Sequence, residues 1–409
     1  MKRPASIPFL AVSTALAQGA DQLALAAVPL VAAVALGAGP ALIGLLVAAQ
    51  SAAWLLVSLP AGALVDRLPK RRLLVAAQLL ASLAFAAAAL AAWAAEPALL
   101  AAAGFLGSAG TVLFVLGGFA AVPALVDPAR LPRANARLEL ARAVATLAAP
   151  LLAGAAAQAG QPALALLAAS AAALLAAATA LRLPPLSLPA SADARPSLPR
   201  AVAEGAGFVL RQPLLRAIAA CAVAWNTAFF MLTAAFIPFA LERLGLSAGQ
   251  AGIALGSYGV GLILGALAAP RLAERWTPAR LLTLGPGLSV LAGLALVAGP
   301  WTPENIPPLA LPMLAHFLIG FGPMLWQVSQ TSLRQIVTPA ALLGRVGATI
   351  QVAVFGVRPL GALAGGALAV RYGLDTAMLA ATAGFALSFA IILASPLARL
   401  KRLPSAIAV

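Results

Sequence analysis

The sequence has few of the residues from which soluble active sites are built. Its one cysteine, Cys221, excludes an intrachain disulfide, and its one histidine, His316, excludes a histidine-based metal cluster. With one of each, a thiol–imidazole nucleophile pair would be a coincidence. Charged residues make up 9% of the chain, with 11 acidic side chains, where a soluble domain carries about a quarter. No nucleophile elbow and no phosphate-binding glycine loop occurs. These absences leave no metal and no cofactor to expect, and they argue against an enzyme.

The chain is instead largely apolar. Hydrophobic residues are 63% of its 409 positions, and the mean hydropathy is +1.02. A net charge of +15 would point to nucleic acid in a soluble protein. Here the basic residues sit in short loops beside long apolar runs, which is the positive-inside pattern of a membrane protein, so no nucleic-acid partner is expected. Membrane lipids are the expected surroundings.

Spans of about 17–28 apolar residues predict twelve helices. They run over Phe9–Leu36, Ala41–Leu64, Leu73–Ala95, Ala98–Val126, Leu138–Ala159 and Pro162–Leu183, then Leu214–Leu241, Ser247–Pro270, Leu281–Ala298, Ile306–Leu333, Leu342–Val370 and Thr376–Ala394. The first run follows Lys2 and Arg3 and continues to Leu36, long enough to stay as an anchor rather than a cleaved signal. With the N-terminus inside, every Lys and Arg except Arg142, Arg243, Arg358 and Arg371 falls in a cytoplasmic loop or tail or at the cytoplasmic end of a span. Both termini are therefore expected in the cytoplasm, with the protein in the plasma or inner membrane.

The longest polar connection, residues 184–213, divides the chain into halves at 1–183 and 214–409. Its first part is Pro/Ser-rich linker. Its second part spaces Leu198, Val202, Phe208 and Val209 among Arg200, Glu204 and Arg211, as an amphipathic interfacial helix does. The halves echo each other. The stretch from Leu125 aligns with that from Ile336 at one offset, matching Pro128 with Pro339 and Gly154 with Gly365. Duplicated six-helix halves are a repeat architecture of transporters.

Within the spans, polar residues mark candidate cavity faces, because i, i+4 and i+7 share a side of a helix. Asp21 sits roughly 18 Å of helix rise from Phe9, about half a bilayer core. A charge at that depth costs about 2.5–3.5 kcal/mol and is normally functional, which makes Asp21 the proton-coupling candidate. Thr14, Gln18 and Gln22 share its stripe. Further stripes are Glu139, Arg142 and Thr146; Asn226, Phe230 and Thr233; Gln327, Gln330, Thr331 and Arg334; and Gln351 with Arg358. For Asn226 and Gln50, interhelical hydrogen bonding is as good a reading as substrate contact. Arg358 invites three readings: a partner for Asp21, a contact for an acidic substrate group, or a donor to carbonyls freed at Pro359. Trp54, Phe114, Phe119, Trp225, Phe229, Phe230, Tyr258 and Trp326 suit a greasy, adaptable pocket. His316 reads as a helix-interface residue, and Trp93 and Trp301 as aromatic-belt anchors.

The segment GALVDRLPKRRLL, from Gly62 to Leu74, resembles the signature loop of the major facilitator superfamily, G-x-L-x-D-R-x-G-R-[RK]-x-x-L. Gly62, Leu64, Asp66, Arg67, Lys70, Arg71 and Leu74 fit; Pro69 replaces the second glycine and Lys70 an arginine. A plain basic stop-transfer loop accounts for Arg67 and Lys70 to Arg72 but not for Gly62 and Asp66 in register. The resemblance implies a gating latch in the outward-facing state. The stretch from Leu342, the terminal SPLARL and LPRANARLELARAVATLAAPLLAG look like the branch containing enterobactin exporters and macrolide-efflux proteins. Ala149 to Gly154 stand where proton-coupled exporters often carry G-P-x-x-G-G, with Pro150 and Gly154 kept and alanine at the other glycines. Together these imply an all-α, twelve-helix transporter of the major facilitator fold. The expected activity is proton-coupled export of a lipophilic or amphipathic small molecule by a monomer. The alternatives are a facilitator or importer in which Asp21 is structural, and a polytopic membrane enzyme or receptor.

Overall fold

A computed structural model describes residues 6–125, 131–184, 198–339 and 342–402. Within helices, side chains are outside the description at 6–7, 59, 62–63, 66–67, 119–120, 122–125, 131–143, 198–202 and 343–344. The described residues form thirteen α-helices. Six precede the linker: α1 (Ser6–Leu30), α2 (Pro40–Arg67), α3 (Lys70–Trp93), α4 (Pro97–Leu125), α5 (Leu131–Gln158) and α6 (Ala163–Ala180). The short α7 (Leu198–Arg211) lies in the linker. Six follow: α8 (Pro213–Pro238), α9 (Ala248–Arg275), α10 (Pro278–Ala298), α11 (Ala310–Val337), α12 (Leu343–Tyr372) and α13 (Leu374–Leu393).

Eleven of these are long and apolar enough to cross a membrane, and α5 adds a described apolar stretch, Val144–Gln158. With α5 they make the twelve-helix membrane layout that the apolar runs predict. Most boundaries shift by a few residues, and three of the larger shifts have a readable cause. Helix α5 begins at Leu131 rather than Leu138, because the charged segment RANARLEL continues the helix beyond the apolar run. Helix α9 runs through Pro270 to Arg275, and α11 starts at Ala310, after a turn over residues 303–309. Hydropathy reports the lipid-facing length of a helix; it does not report where backbone hydrogen bonding stops.

Setting α2 and α9 aside, the two sets of six pack by one plan. In the first, α1 packs on α5 and α6, α3 on α4 and α6, and α2 on α4. In the second, α8 packs on α12 and α13, and α10 on α11 and α13. The lead helices even end alike. After Pro29 and Pro238, each of which removes a backbone donor, α1 and α8 loosen into a π-turn, Val31–Ala35 and Phe239–Arg243. Leu36 N–H then returns to Val31 O at 3.1 Å, and Leu244 N–H to Phe239 O at 3.2 Å. Gly37 (φ 57°) and Gly245 (φ 63°) reverse the chain next, in a left-handed conformation that suits glycine.

By contact, the chain forms two compact units, Met1–Asp193 with Leu246–Gly259, and Ala194–Gly245 with Val260–Val409. The core of the first includes Leu10, Ala17, Leu74, Phe114 and Ala176. Phe114, read from sequence as a pocket aromatic, is 1% exposed there and fills core space. In the second, Val209 of α7 joins Leu215, Leu282, Val337, Val346 and Leu397 in one buried cluster, which fastens the linker helix. An ion pair between Glu204 and Arg345 and a tight approach of Gly205 to Arg345 O bind α7 to α12.

Candidate functional site

Among the described residues, the second unit holds a polar and aromatic constellation on α8 and α12, and two glycines create it. A Cβ at Gly361 or Gly365 would come within 2.4 Å of Thr227 O or Met231 O. Only glycine lets α12 press against the α8 backbone at these turns. That approach delivers Arg358, three residues before Gly361, onto the face of α8. Its Nε donates to Asn226 Oδ1 at 3.1 Å. Asn226 Nδ2 in turn donates to Ala222 O at 2.9 Å, which orients the amide so that its oxygen meets the guanidinium. The guanidinium carbon lies 4.4 Å from the Phe355 ring centroid and 5.1 Å from that of Phe230.

These contacts explain how a cation is tolerated inside a span. Its burial costs about 2.5–3.5 kcal/mol, while each desolvated cation–π contact returns about 0.5–2 kcal/mol and a charge-assisted hydrogen bond about 1.5–3 kcal/mol. The three together are of the size needed to offset burial. Trp225 stacks on Phe229 with centroids 5.0 Å apart, and Phe229 meets Phe230 edge-on at 5.7 Å. Trp225 also packs against Phe385 and donates its indole N–H to Ser289 Oγ at 2.9 Å. Trp225, Phe229, Phe230, Phe355 and Arg358 are all half-buried, whereas Asn226 beneath them is buried. Ser289 and Phe385 carry no sequence signal: each is one more residue in an apolar helix until the packing shows what it supports.

In the first unit Asp21 is 4% exposed, and Gln22 Nε2 lies 3.5 Å from Asp21 Oδ2. Gln18 and Gln22 are half-buried on the same helix. Gln50, one of the residues with two open readings, is buried and reaches from α2 to Ala24 O of α1 at 3.4 Å. That bond is interhelical. Its Oε1 has no hydrogen-bond partner among the described residues. Trp54 and Tyr258 are half-buried.

Of the signature loop, Gly62, Asp66 and Arg67 lie on the last turns of α2, with side chains outside the described residues. Lys70 is buried and donates its Nζ to Val65 O, capping the carbonyl end of α2, where a cation is favoured. Arg71 Nη1 donates to Leu183 O at 3.3 Å and so ties the loop to the end of α6. Sequence reasoning missed that tie, because nothing local predicts a contact 112 residues away.

The remaining candidates divide by exposure. On α11, Gln330 is buried and Gln327 exposed, so the predicted stripe is not uniformly buried; Gln351 on α12 is exposed too. The Trp326 indole N–H is buried without a partner among the described residues. Arg142 and Glu139 lie outside the described side chains. His316 is buried, with Nδ1 2.9 Å from Pro312 O and its ring edge-on to Phe236. Trp93 and Trp301 are exposed. Among the described residues no group of three or more His, Cys, Asp or Glu could hold a metal ion.

Residues 10–362 match the profile of the Major Facilitator Superfamily. No curated protein matches the sequence. Among solved structures, the nucleoside transporter NupG is similar at a TM-score of 0.76 and 14% identity, with 94% of this chain and 98% of that one covered. A bacterial homologue of the iron transporter ferroportin, in an inward-facing state, gives 0.74 and 15%, covering 96% and 99%. A bacterial homologue of the human lysosomal transporter Spinster gives 0.73 and 15%, covering 96% and 97%. At such identities the likeness is one of fold.

Proposed function

The chain belongs to the Major Facilitator Superfamily, a multi-pass membrane transporter rather than an enzyme, and from that premise we propose that it is a secondary active exporter of a lipophilic or amphipathic small molecule. The observation that carries the substrate side is the half-buried aromatic face of α8 and α12, with one guanidinium set into it. Sugar-like ligands need many convergent polar groups, whereas apolar walls with a few placed donors suit a greasy ligand. Coupling is assigned to Asp21, a buried acid in the first span. It takes up a proton on the external side and releases it to the cytoplasm as substrate moves the other way. The working halves are residues 1–183 and 214–409, tethered by 184–213, and the cycle is alternating access. Asp66 and its basic neighbours latch the cytoplasmic side of the outward-facing state. The protein acts as a monomer in the plasma or inner membrane with both termini in the cytoplasm.

The test begins with dyes, drugs and siderophores screened for binding to purified protein. Bound members are then offered to inverted vesicles. Accumulation that needs an acidic lumen supports the exporter; equilibration without a gradient supports a facilitator; a chemically altered product without vectorial movement returns the enzyme reading.

A further inference from the structure

We propose that the corner between α9 and α10, together with the C-terminal segment folded back onto it, docks the headgroups of anionic phospholipids. The inference stands apart from the transport reading and concerns the membrane around the protein. It begins with two apolar stripes. On α9, Val260, Leu264 and Leu267 are exposed on one side of the helix, and Arg271, one turn further, continues that side. On α10, Leu291 and Leu294 are exposed on the side that Arg280 begins. Large apolar side chains left exposed on a membrane span face lipid. The stripes therefore carry Arg271 and Arg280 to the level where acyl chains give way to headgroups, and there a long cationic side chain reaches for phosphate. Trp276, half-buried in the turn between the two helices, suits the same level.

A single arginine at a helix end is ordinary, and the C-terminal segment makes this corner more than that. After α13, Ser395 Oγ accepts from Leu397 N–H at 3.3 Å and opens a short 3-10 turn, Pro396–Arg399. Leu397 is fully buried, in one cluster with Leu215 of α8 and Leu282 of α10. Ala279 N–H then donates to Leu400 O at 3.1 Å. These contacts fasten the segment to the first turn of α10, where Arg399 and Lys401 flank the residue bonded beside Arg280 and Arg402 follows. With Arg271 and Arg275 at the end of α9, six exposed cations stand against one acid, Glu274. None of them is in an ion pair among the described residues. Arg271 uses one of its five donors on Leu267 O at 3.2 Å, along its own helix. The charge of the cluster is thus left for a partner outside the chain. All but Lys401 are arginines, whose planar fork fits phosphate oxygens. A net-negative leaflet attracts such a cluster, whereas a soluble polyanion would find it half turned toward lipid.

The experiment places a fluorophore on the full chain at Leu267→Cys, one turn before Arg271, or at Leu294→Cys, toward the other end of α10, each in a Cys221→Ala background. Each protein is reconstituted into phosphatidylcholine vesicles in which a varied minor fraction is brominated phosphatidylglycerol or brominated phosphatidylcholine. Quenching by the bromines reads the preference for the anionic lipid at each label. It should be at least about threefold at Leu267→Cys, within the reach of one well-placed cation near an anionic surface, and about one at Leu294→Cys. Salt at about 1 M shortens the Debye length to about 3 Å and should lower the Leu267→Cys value. Arg271→Gln, Arg280→Gln, Arg399→Gln, Lys401→Gln and Arg402→Gln together should bring it to about one. Inorganic phosphate, compared with chloride at equal ionic strength, should leave it in place. Equal preference at the two labels overturns the proposal, and that comparison stands even if the glutamine variant fails to fold. Preference that persists in a folded glutamine variant overturns it as well. Displacement by inorganic phosphate overturns the lipid assignment in favour of a free anion.

Discussion

Asp21 and Arg358 pose the same problem, a charge inside a span, and their surroundings answer it differently. Arg358 has aromatic faces and an oriented amide oxygen as neighbours within its own unit. Asp21 has an amide at 3.5 Å, at the limit of a hydrogen bond, in a buried setting. A group meant to gain and lose a proton needs both forms within energetic reach. Asp21→Asn keeps size and polarity and removes the proton. It should abolish pH-gradient-driven uptake into inverted vesicles, with substrate affinity changed by less than about threefold, a fraction of a kcal/mol. Undiminished gradient-driven uptake in that variant would make Asp21 structural. The presence of Asp21 and Arg358 was legible in the sequence, since a charge in an apolar run needs no structure to be noticed. Their partners were not: Asn226 lies 132 residues from Arg358, and helix periodicity names a face without naming what faces it.

At the scale of elements, hydropathy located the twelve spans, and the errors lie at their ends. RANARLEL is too charged to read as membrane helix yet extends α5, and Pro270 reads as a stop but lies inside α9. The close approach of α8 and α12 was only half legible: Gly365 stood out through its repeat partner Gly154, but Gly361 did not. Gly361→Leu must move backbone that lies 2.4 Å from the new Cβ. Overpacking of this kind costs about 1–3 kcal/mol, and here it also displaces Arg358 from Asn226. The variant should melt at least several degrees lower in detergent and lose substrate binding. Gly118→Ala is the control, with nothing within 4 Å of an added Cβ, and should melt within about a degree of wild type, since surface-like changes stay near ±0.5 kcal/mol. Equal melting of the two variants would mean that the α8–α12 contact is looser than its geometry indicates.

For the molecule as a whole, the repeated π-turns and the like packing of α1 and α8, and of α3 and α10, mark two six-helix sets, and the proposed cycle is alternating access. The proposed cytoplasmic latch belongs to this scale. Asp66→Asn removes the acceptor that the signature loop offers, so the population should shift toward inward-open. Cysteines introduced at cytoplasmic-cavity positions in a Cys221→Ala background should then label about two- to tenfold faster, the range of a population shift of order 1 kcal/mol. The native thiol is buried, so its replacement costs little background reactivity. Unchanged labelling with normal transport would reduce the loop to a topology signal.

Exchange of protons for substrate is the central claim, and substrate-dependent proton flux in proteoliposomes tests it most directly. Purified protein is reconstituted with a pH-sensitive dye in the lumen and no imposed gradient, and the most tightly bound member of the screened panel that does not itself carry protons across empty liposomes is added outside. The account predicts that the lumen turns alkaline as substrate enters and protons leave, that Asp21→Asn liposomes give no more signal than empty ones, and that a protonophore abolishes the change. Substrate entry at the wild-type rate with lumen pH unmoved, or with the lumen turning acid, would contradict it.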